Sequence, residues 1–321
     1  MSGDAANAAE TAPRYSVVVP TFERIDVLPE VLAALDGQLA APSFEIVVVD
    51  DGSTDGTGER LASISTARPL TLLRQTNRGP ATARNRGVAA ARGERIAFLG
   101  DDTVPAPDWL ASHDRAHRER GGGDEVAVLG YTGWHPRVGR SPFLEHLNEG
   151  GLQFGYALIS DPENVPFNFF YTSNLSLSRD RLRAEPFDES FPYPAWEDIE
   201  AAWRLCRGGL RLVYAPEARV AHDHATDFDR FAARQERAGY CAVVFYQRHP
   251  ELGGFLGLGP GGPPPLPSPR VQRLREGLVR ALLPLPVSVP RLWDEAFRFH
   301  YIRGLHRGWR ERIQDRQGGA R

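Results

Sequence analysis

Short apolar runs alternate with helix-like segments along the first part of the chain. Tyr15–Pro20, Phe44–Val49, Leu70–Arg74, Arg95–Leu99 and Val126–Leu129 are rich in β-branched and aliphatic residues. Runs of this kind predict strands that are buried on both faces of a parallel sheet. The segments between them have the length of the helices that connect such strands. We therefore predict a doubly wound, mostly parallel α/β sheet with right-handed crossovers.

The alternation weakens after Trp134, where loops and short helices are expected. A strand returns to the predicted sheet at Ser173–Ser178, and two short strands are predicted at Arg211–Tyr214 and Arg219–Ala221. These changes in pattern predict a division of the chain into a disordered tail (1–13), a body in two halves (14–134 and 135–250), a Gly/Pro linker (251–269) and a basic helical tail (270–321).

The length and composition allow one large α/β domain with an appendage. The two cysteines, Cys206 and Cys241, predict no disulfide framework and no zinc site, so a reducing cytoplasm is the expected compartment. The first 13 residues lack the basic leader and apolar segment of a signal peptide. No stretch approaches the ~18 apolar residues that cross a bilayer. We expect a cytoplasmic protein, with peripheral attachment to the inner face of the membrane as the alternative.

Positive charge is concentrated at the C-terminal end. The whole chain has a formal net charge of −3, yet 270–321 holds twelve arginines against five acidic residues, a balance of about +7. Two helices, near Val271–Leu283 and Arg291–Ile313, are predicted there. Their arginines and apolar residues fit a peripheral contact with an anionic membrane, and equally a helical pair packed on the body or a dimer interface. No nucleic-acid-binding motif accompanies the charge, so nucleic acid is not an expected partner.

Pairs of carboxylates carry the chemical signal. Asp50-Asp51 and Asp101-Asp102 each follow a predicted strand directly. Ligands of open α/β sheets bind beyond the carboxyl ends of the strands, so the two pairs are expected to converge on one crevice. Acidic groups gathered there would repel each other unless a cation joins them. Mg²⁺ or Mn²⁺ carrying a phosphorylated substrate is the simplest such cation.

A third pair, Glu197-Asp198, begins a predicted helix about a hundred residues further on. A carboxylate at that position, opposite a metal, could serve as a general base, a role that typically contributes about 10²–10⁴-fold to a rate. His222 or His224 could complete the metal site. Each motif also has a purely structural explanation, because acidic residues suit turns and helix N-termini, and histidines are common at surfaces.

The order of these motifs resembles that of the family 2 glycosyltransferases, which have the GT-A fold. The resemblance rests on Ser16–Phe22, Val49–Asp55, Asn77–Gly79, Ala83–Asn85, Phe98–Asp102 and Trp196–Asp198. Each piece is weak alone, but the ordered series is specific and spans roughly Tyr15 to His249. It implies inverting transfer of a sugar from a nucleotide-diphosphate donor, with a UDP-sugar favoured, to a glycan, lipid or small-molecule acceptor. Glycan or cell-envelope polysaccharide synthesis is the expected setting.

The resemblance also implies roles for individual residues. The implied donor-binding residues are Pro20, Thr21, Phe22, Glu23, Asp51, Arg84 and Asp101. Asp102 and His222 would bind Mg²⁺ or Mn²⁺, and Asp198 would deprotonate the acceptor with Glu197 beside it. The halves 14–134 and 135–250 would then hold the nucleotide sugar and the acceptor, respectively.

One position departs from the family pattern, because relatives commonly have Asp-x-Asp where this chain has Gly100 before its two acids. The metal ligands, including the choice between His222 and His224, are therefore left open. Two other functions compete with sugar transfer. A nucleotidyltransferase would need a glycine-rich basic loop where the chain has Pro-Thr-Phe-Glu at 20–23, and a catalytically silent sugar-nucleotide-binding module would lack the acids at 197–198.

Overall fold

Eight strands form one sheet in the computed structural model, which describes residues 12–314. The strands are β1 (Tyr15–Thr21), β2 (Phe44–Asp50), β3 (Leu70–Arg74), β4 (Arg95–Leu99), β5 (Thr103–Pro105), β6 (Val126–Trp134), β7 (Asn174–Ser178) and β8 (Arg211–His222). Their order across the sheet is β3-β2-β1-β4-β7-β6-β8-β5. The predicted fold class is confirmed, since β3, β2, β1 and β4 run parallel, as do β6 and β8.

Ten α-helices surround the sheet within the described residues. They are α1 (Leu28–Asp36), α2 (Thr57–Ala62), α3 (Pro80–Ala90), α4 (Trp109–Glu119), α5 (Pro142–Glu149), α6 (Arg179–Ala184), α7 (Glu197–Arg207), α8 (Phe228–Arg248), α9 (Pro269–Leu282) and α10 (Pro290–Trp309). Short 3₁₀ or π-helical turns lie at Pro136–Val138, Tyr156–Leu158, Phe167–Phe169, Pro250–Leu252 and Arg310–Gln314. Over residues 12–314, no helix is long and apolar enough to cross a membrane.

The central strands are buried on both faces, because alternate side chains point to opposite sides of the sheet. In β1, Val17 and Val19 pack in the layer that contains α1 and α4. Val18 packs on the other side, with residues of α3, α7 and α8. This double burial explains why the strands appear in the sequence as continuous apolar runs.

The second half of the sheet differs from the prediction in two respects, the first of which is that the edge strand β5 (Thr103–Pro105) was not predicted. The predicted strand at Ser173–Ser178 is β7, which runs antiparallel between β4 and β6. The two short strands predicted after Arg211 are a single strand of 12 residues, β8. Its ladder with β6 changes register where Pro216 lies, between the partners of Gly130 and Tyr131. The bulge leaves this proline outside the ladder, so it does not end the strand.

The C-terminal helices pack closely on the body. A β-carbon added at Gly239 of α8 would overlap the carbonyl oxygen of Tyr301 in α10, so the two helix backbones are in direct contact. Leu256 and Leu258, within the predicted linker, are buried in the main core. The domain boundaries stay a prediction, and most of the predicted N-terminal tail (1–13) and the end of the basic tail lie outside the described residues.

A buried polar network joins α4 to β7. In the neutral tautomer that satisfies both contacts, His113 Nε2–H donates to the side-chain oxygen of Asn174 (2.8 Å), and the Ser176 hydroxyl donates to His113 Nδ1 (2.9 Å). Trp109 Nε1–H also donates to Asn174 (2.8 Å), and His117 Nε2 lies 2.9 Å from the Ser176 hydroxyl. Burial lowers the pKa of His113 to about 4 and that of His117 to about 2, so both rings are neutral at pH 7.

We expect the protein to lose stability as the pH falls from about 6.5 towards 4, because the unfolded chain then binds protons that the folded chain does not. The lowered pKa of His113 alone corresponds to a loss of about 3 kcal/mol across that range. Replacing His113 with Gln removes this titration and should flatten the pH dependence of the free energy of unfolding, measured by urea denaturation. An unchanged slope in the variant would contradict the expectation.

Candidate active site

The loops that follow β1, β2 and β4 lie side by side at one edge of the sheet. The strands are parallel neighbours, and Thr21 at the end of β1 lies opposite Asp50 at the end of β2. The backbone N–H of Phe22 donates to Asp101 Oδ2 at 3.2 Å, which joins the loop after β1 to the loop after β4. The parallel order therefore brings the acidic pairs at 50–51 and 101–102 to the same edge, as predicted.

The two acids after β2 have different surroundings. Asp50 accepts the Ser53 N–H at 2.9 Å and closes the turn. Asp51 is buried and accepts the backbone N–H groups of Arg78 (2.9 Å) and Gly79 (2.8 Å), which holds the loop before α3. The structural role of an acid that closes a turn therefore belongs to Asp50. Oδ2 of Asp51 accepts one hydrogen bond in the structure and can accept another N–H.

Four residues predicted to bind the donor form the end of β1 and its loop. Pro20 is half-buried and Thr21 is buried, whereas the side chain of Phe22 is 43% exposed. Glu23 has a left-handed backbone (φ 55°), and its Oε1 accepts the N–H (2.8 Å) and the hydroxyl (2.9 Å) of Thr54. Phe22 is thus available to a ligand, and Glu23 fixes the loop against the turn after β2.

Asp102, His222 and His224 form a cluster whose side chains could hold a metal ion. The antiparallel pairing of β5 with β8 places His222 opposite Thr103, next to the acids that follow β4. His222 Nε2 lies 3.5 Å from Asp102 Oδ1, and His224 Nδ1 lies 3.3 Å from Asp102 Oδ2. The sequence left a choice between the two histidines, and the structure brings both to the same carboxylate.

Stacked aromatic rings hold the two histidines. The rings of His222 and His224 stack with centroids 5.5 Å apart, and Trp134 stacks on His222 at 5.4 Å. The indole N–H of Trp134 donates to the Leu144 carbonyl at 2.8 Å, which fixes the indole in turn. These contacts restrict the orientation of both imidazole rings beside Asp102.

The donor set of this cluster fits a divalent cation. One ligand atom from each of Asp102, His222 and His224 lies within 4.8 Å of the others. Carboxylate oxygen favours Mg²⁺ and Mn²⁺, and imidazole nitrogen favours transition metals, so the mixed set suits Mn²⁺ well. His222 faces Asp102 with Nε2, while its Nδ1 is buried and has no hydrogen-bond partner among the described residues.

Arg24 is a residue of the site that the sequence analysis missed. Its Nε lies 3.5 Å from Asp101 Oδ1, and its Nη2 lies 3.4 Å both from Asp102 Oδ2 and from His224 Nδ1. The guanidinium places a positive charge against both carboxylates. One feature of the sequence could have indicated this role. Arg24 directly follows the predicted donor-binding residues 20–23, and the loop after β1 lies next to the loop after β4 that carries the two acids.

The adjacent acids after β4 titrate in opposite directions. Burial raises the pKa of Asp101 to about 7, and the negative charge of Asp102 adds to this rise. Burial also opposes ionisation of Asp102, but its contacts with His222, His224 and Arg24 hold its pKa well below the usual range. Asp102 is therefore ionised at neutral pH, as a metal-binding carboxylate must be.

The third acidic pair lies at the start of α7, next to a residue with a strained backbone. Trp196 has a left-handed conformation (φ 73°), and its indole N–H donates to the Ala238 carbonyl of α8 at 3.0 Å. Glu197 is buried, and its Oε1 accepts a hydrogen bond from Arg84 Nη1 at 2.8 Å. Arg84 is thereby held at the third pair, and its contact with a base or phosphate stays a prediction.

Asp198 is half-buried beside Glu197. Its Oδ1 accepts the N–H of Ile199 at 2.9 Å, and the Thr172 N–H also donates to its carboxylate. Burial raises the pKa of Asp198 to about 6; the charge of Glu197 adds to the rise, and Arg84 opposes it. A carboxyl group with this pKa is ionised at pH 7 and is also basic enough to accept a proton.

Two consecutive residues before β7 connect the second and third acidic pairs. The carbonyl of Ser173 accepts the Gly100 N–H, directly before the acids at 101–102, at 3.1 Å. The N–H of Thr172 donates to Asp198. One short segment therefore contacts both the residue before the second acidic pair and Asp198 of the third.

Arg234 of α8 is a second residue that the sequence analysis missed. Its guanidinium interacts electrostatically with Asp198, Glu197 and Tyr171. Its side chain is exposed, so it lies at the rim of the site rather than in the core. No local motif marks Arg234, because its helix has only the pattern of an amphipathic surface helix.

The chain is similar to known glycosyltransferases in sequence. Residues 16–142 match the family described as Glycosyl transferase family 2. Validoxylamine A glucosyltransferase of Streptomyces hygroscopicus subsp. limoneus is 31% identical over 236 residues, which cover 66% of this chain and 52% of that protein. Pre-mycofactocin glycosyltransferase of Mycobacterium tuberculosis (strain ATCC 25618 / H37Rv) is 29% identical over 244 residues, or 74% and 48%. This chain spans about half the length of these curated relatives.

Solved structures show the same fold at lower sequence identity. The mannosyltransferase PcManGT from Pyrobaculum calidifontis, in complex with GDP-Man and Mn²⁺, superposes with a TM-score of 0.61 and 20% identity over 94% of this chain and 89% of that one. TarS 1–349 of S. aureus, in complex with UDP-GlcNAc, gives 0.55 and 17% over 95% and 92%. These similarities confirm the GT-A fold. The sequence match places residues 16–142 in the family 2 glycosyltransferases, and the solved structures show the same fold over most of the chain.

Proposed function

We propose that this protein is an inverting glycosyltransferase that moves a sugar from a nucleotide-diphosphate donor to an acceptor hydroxyl, in glycan or cell-envelope polysaccharide synthesis in the cytoplasm. The observation that carries the proposal is that one segment, Thr172–Ser173, contacts both Gly100, directly before the acids after β4, and Asp198. A catalytically silent binding module has no need of a carboxylate with a raised pKa at this position.

The donor is proposed to lie along the carboxyl ends of β1, β2 and β4. The exposed ring of Phe22 and the remaining acceptor capacity of Asp51 would meet the base, and Asp101 would meet the ribose. An imide N–H of uracil suits Asp51, and guanine also offers N–H groups. We favour a UDP-sugar, and GDP-sugars are the direct comparison, because structural relatives are known with GDP-Man and with UDP-GlcNAc.

A divalent cation, Mn²⁺ or Mg²⁺, is proposed to be held by Asp102 together with His222, His224 or both. When bound, the ion neutralises the charge that develops on the leaving diphosphate. Arg24, which lies within 3.5 Å of both acids after β4, is placed to bind phosphate oxygens as well.

Asp198 is proposed to accept the proton of the acceptor hydroxyl. Its carboxylate is half-buried, and its raised pKa matches the task of a base near neutral pH. A single displacement at the anomeric carbon then inverts its configuration, and the chain forms no covalent bond with the sugar. Glu197 lies beside Asp198 and forms a buried ion pair of 2.8 Å with Arg84. This ion pair keeps the positive charge of Arg84 near Asp198.

A panel of sugar donors tests the proposed function. UDP- and GDP-sugars would be incubated with the protein and Mn²⁺, Mg²⁺ or EDTA, and the released phosphates would be identified. We expect release of a nucleoside diphosphate from at least one donor, more slowly in EDTA. Release of a sugar 1-phosphate, which leaves when the nucleoside monophosphate group is transferred, would indicate a nucleotidyltransferase instead, and tight donor binding without turnover would indicate a silent module.

Asp102→Ala should weaken Mn²⁺-dependent donor binding by at least about tenfold, because it removes the ionised carboxylate of the cluster. Calorimetric titration of the nucleoside diphosphate with and without Mn²⁺ measures the effect. His222→Ala and His224→Ala, measured in the same way, show which histidine binds the ion. Asp108→Ala, at an exposed position before α4, is the matched control. Wild-type affinity with Mn²⁺ in Asp102→Ala would rule out the proposed ligand.

A further inference from the structure

The outer face of α9 carries an exposed apolar stripe. Val271, Leu274 and Leu278 follow one another at helical spacing, and Leu274 is 76% exposed. The opposite face holds the helix on the body, because Val279 is buried and Gln272 Nε2–H donates to an α10 carbonyl at 3.2 Å. The stripe therefore points away from the body in the folded protein.

The stripe continues past the helix and is bordered by arginines. Leu285 and Val287, in the turn after α9, are also exposed. Arg270 and Arg273 are exposed next to the stripe. Over 266–291 the chain has five arginines and a single acidic residue, so the surface around the stripe is strongly positive. Single exposed apolar residues are ordinary, but a continuous stripe with a basic border indicates a partner.

We propose that this face docks on an anionic lipid membrane. Apolar side chains that enter the headgroup region, with arginines that meet lipid phosphates, are the features of a helix that lies in a membrane surface. A second copy of the chain fits less well. A two-fold contact through the stripe would bring together two copies of the same positively charged surface. One helix also offers little area beside the about 800 Å² per partner of a stable interface.

One apolar cluster connects the buried face of α9 to the candidate active site. Val279 of α9 packs with Trp293 and Phe297 of α10, and Trp134 packs on the same cluster. Trp134 also stacks on His222 in the metal-binding cluster. A docked chain would therefore hold its active site close to the lipid surface. Together with the proposed function, on which this step rests, the arrangement points to an acceptor that is linked to lipid.

Co-sedimentation of the full chain with vesicles tests the docking face. We expect binding to vesicles of phosphatidylcholine and phosphatidylglycerol, little binding to phosphatidylcholine alone, and weaker binding in high salt. Leu274→Asn combined with Leu278→Asn should weaken partitioning at least about tenfold. Arg270→Gln combined with Arg273→Gln should weaken it about thirtyfold.

The controls are equally exposed residues elsewhere on the body. Leu39→Asn, at a position that is 63% exposed, and Arg60→Gln, on α2, should bind vesicles as the wild type does. Wild-type thermal unfolding shows that each variant is folded. Donor binding, measured separately, distinguishes a failure of the proposed function from a failure of docking. Equal binding by the stripe variants and the wild type, or a dimer in solution that Leu274→Asn disrupts, would overturn the proposal.

Discussion

Asp198→Asn should nearly abolish turnover while the donor still binds. The amide keeps the size and polarity of the carboxylate but cannot take up the acceptor proton. A general base typically contributes about 10²–10⁴-fold, so we expect kcat to fall by about 10³-fold. Donor affinity should stay near that of the wild type, because the carboxylate faces the acceptor side in the proposed mechanism. Transfer rates and calorimetric titration of the donor on the same preparation measure both quantities.

Glu217→Gln is the matched control, since it makes the same change of charge at an exposed position of β8. It should leave kcat and donor binding unchanged. Retained transfer with lost donor binding in Asp198→Asn would refute the assignment of the base.

The pH profile reports on the same carboxylate. Asp198 must be ionised to accept a proton, and burial raises its pKa to about 6. We therefore expect kcat/KM of the wild type to increase as the pH rises through about 6 and then to level off. The residual activity of Asp198→Asn should lack this acidic limb.

Gly304→Ala should separate α8 from α10 and destabilise the protein. The added β-carbon would overlap the carbonyl oxygen of Glu236, and backbone cannot turn away as a flexible side chain can. Overpacking typically costs about 1–3 kcal/mol, and a clash with backbone places this substitution at or above the upper end. We expect the midpoint of thermal unfolding to fall by roughly 5–10 °C, measured by calorimetry or circular dichroism.

Gly277→Ala, in the neighbouring helix α9, is the control for this substitution. A β-carbon added there meets nothing within 4 Å, so the change affects only helix propensity. It should leave the stability unchanged or raise it by up to about 1 kcal/mol. A Gly304→Ala protein that unfolds at the wild-type temperature would show that α8 and α10 do not need the close approach described here.

Much of the first half of the body (14–134) could be predicted because its strands have a local signature. β1, β2 and β4 are buried on both faces, so each appears as an apolar run, and the residues after each run must lie at one edge of a parallel sheet. From the sequence alone, this rule predicts that Asp51 and Asp102 lie at the same edge of the sheet. It could not distinguish Asp50, which closes a turn, from Asp51, which holds the loop before α3.

The residues that were missed have contacts but no local pattern. Arg24 is one arginine among many in the sequence, and only the adjacency of two loops sets it against the acids after β4. Arg234 lies on a helix whose pattern is that of any amphipathic surface helix. The strand β8 was divided in two because Pro216 breaks a strand in most contexts, and a bulge is a property of the pairing with β6 rather than of the segment.

The amino-acid sequence by itself determined the α/β class, the strands at the centre of the sheet, and the sheet edge at which the acids at 50–51 and 101–102 lie. Burial on both faces of a strand, and the position of a residue directly after it, depend on a few neighbouring residues. Three features appear only in the tertiary structure. His222 and His224 both lie next to Asp102, Glu197 accepts a hydrogen bond from Arg84, and the backbones of α8 and α10 are in close contact at glycines. Those contacts join residues far apart in the chain, and their geometry depends on how whole helices and strands pack.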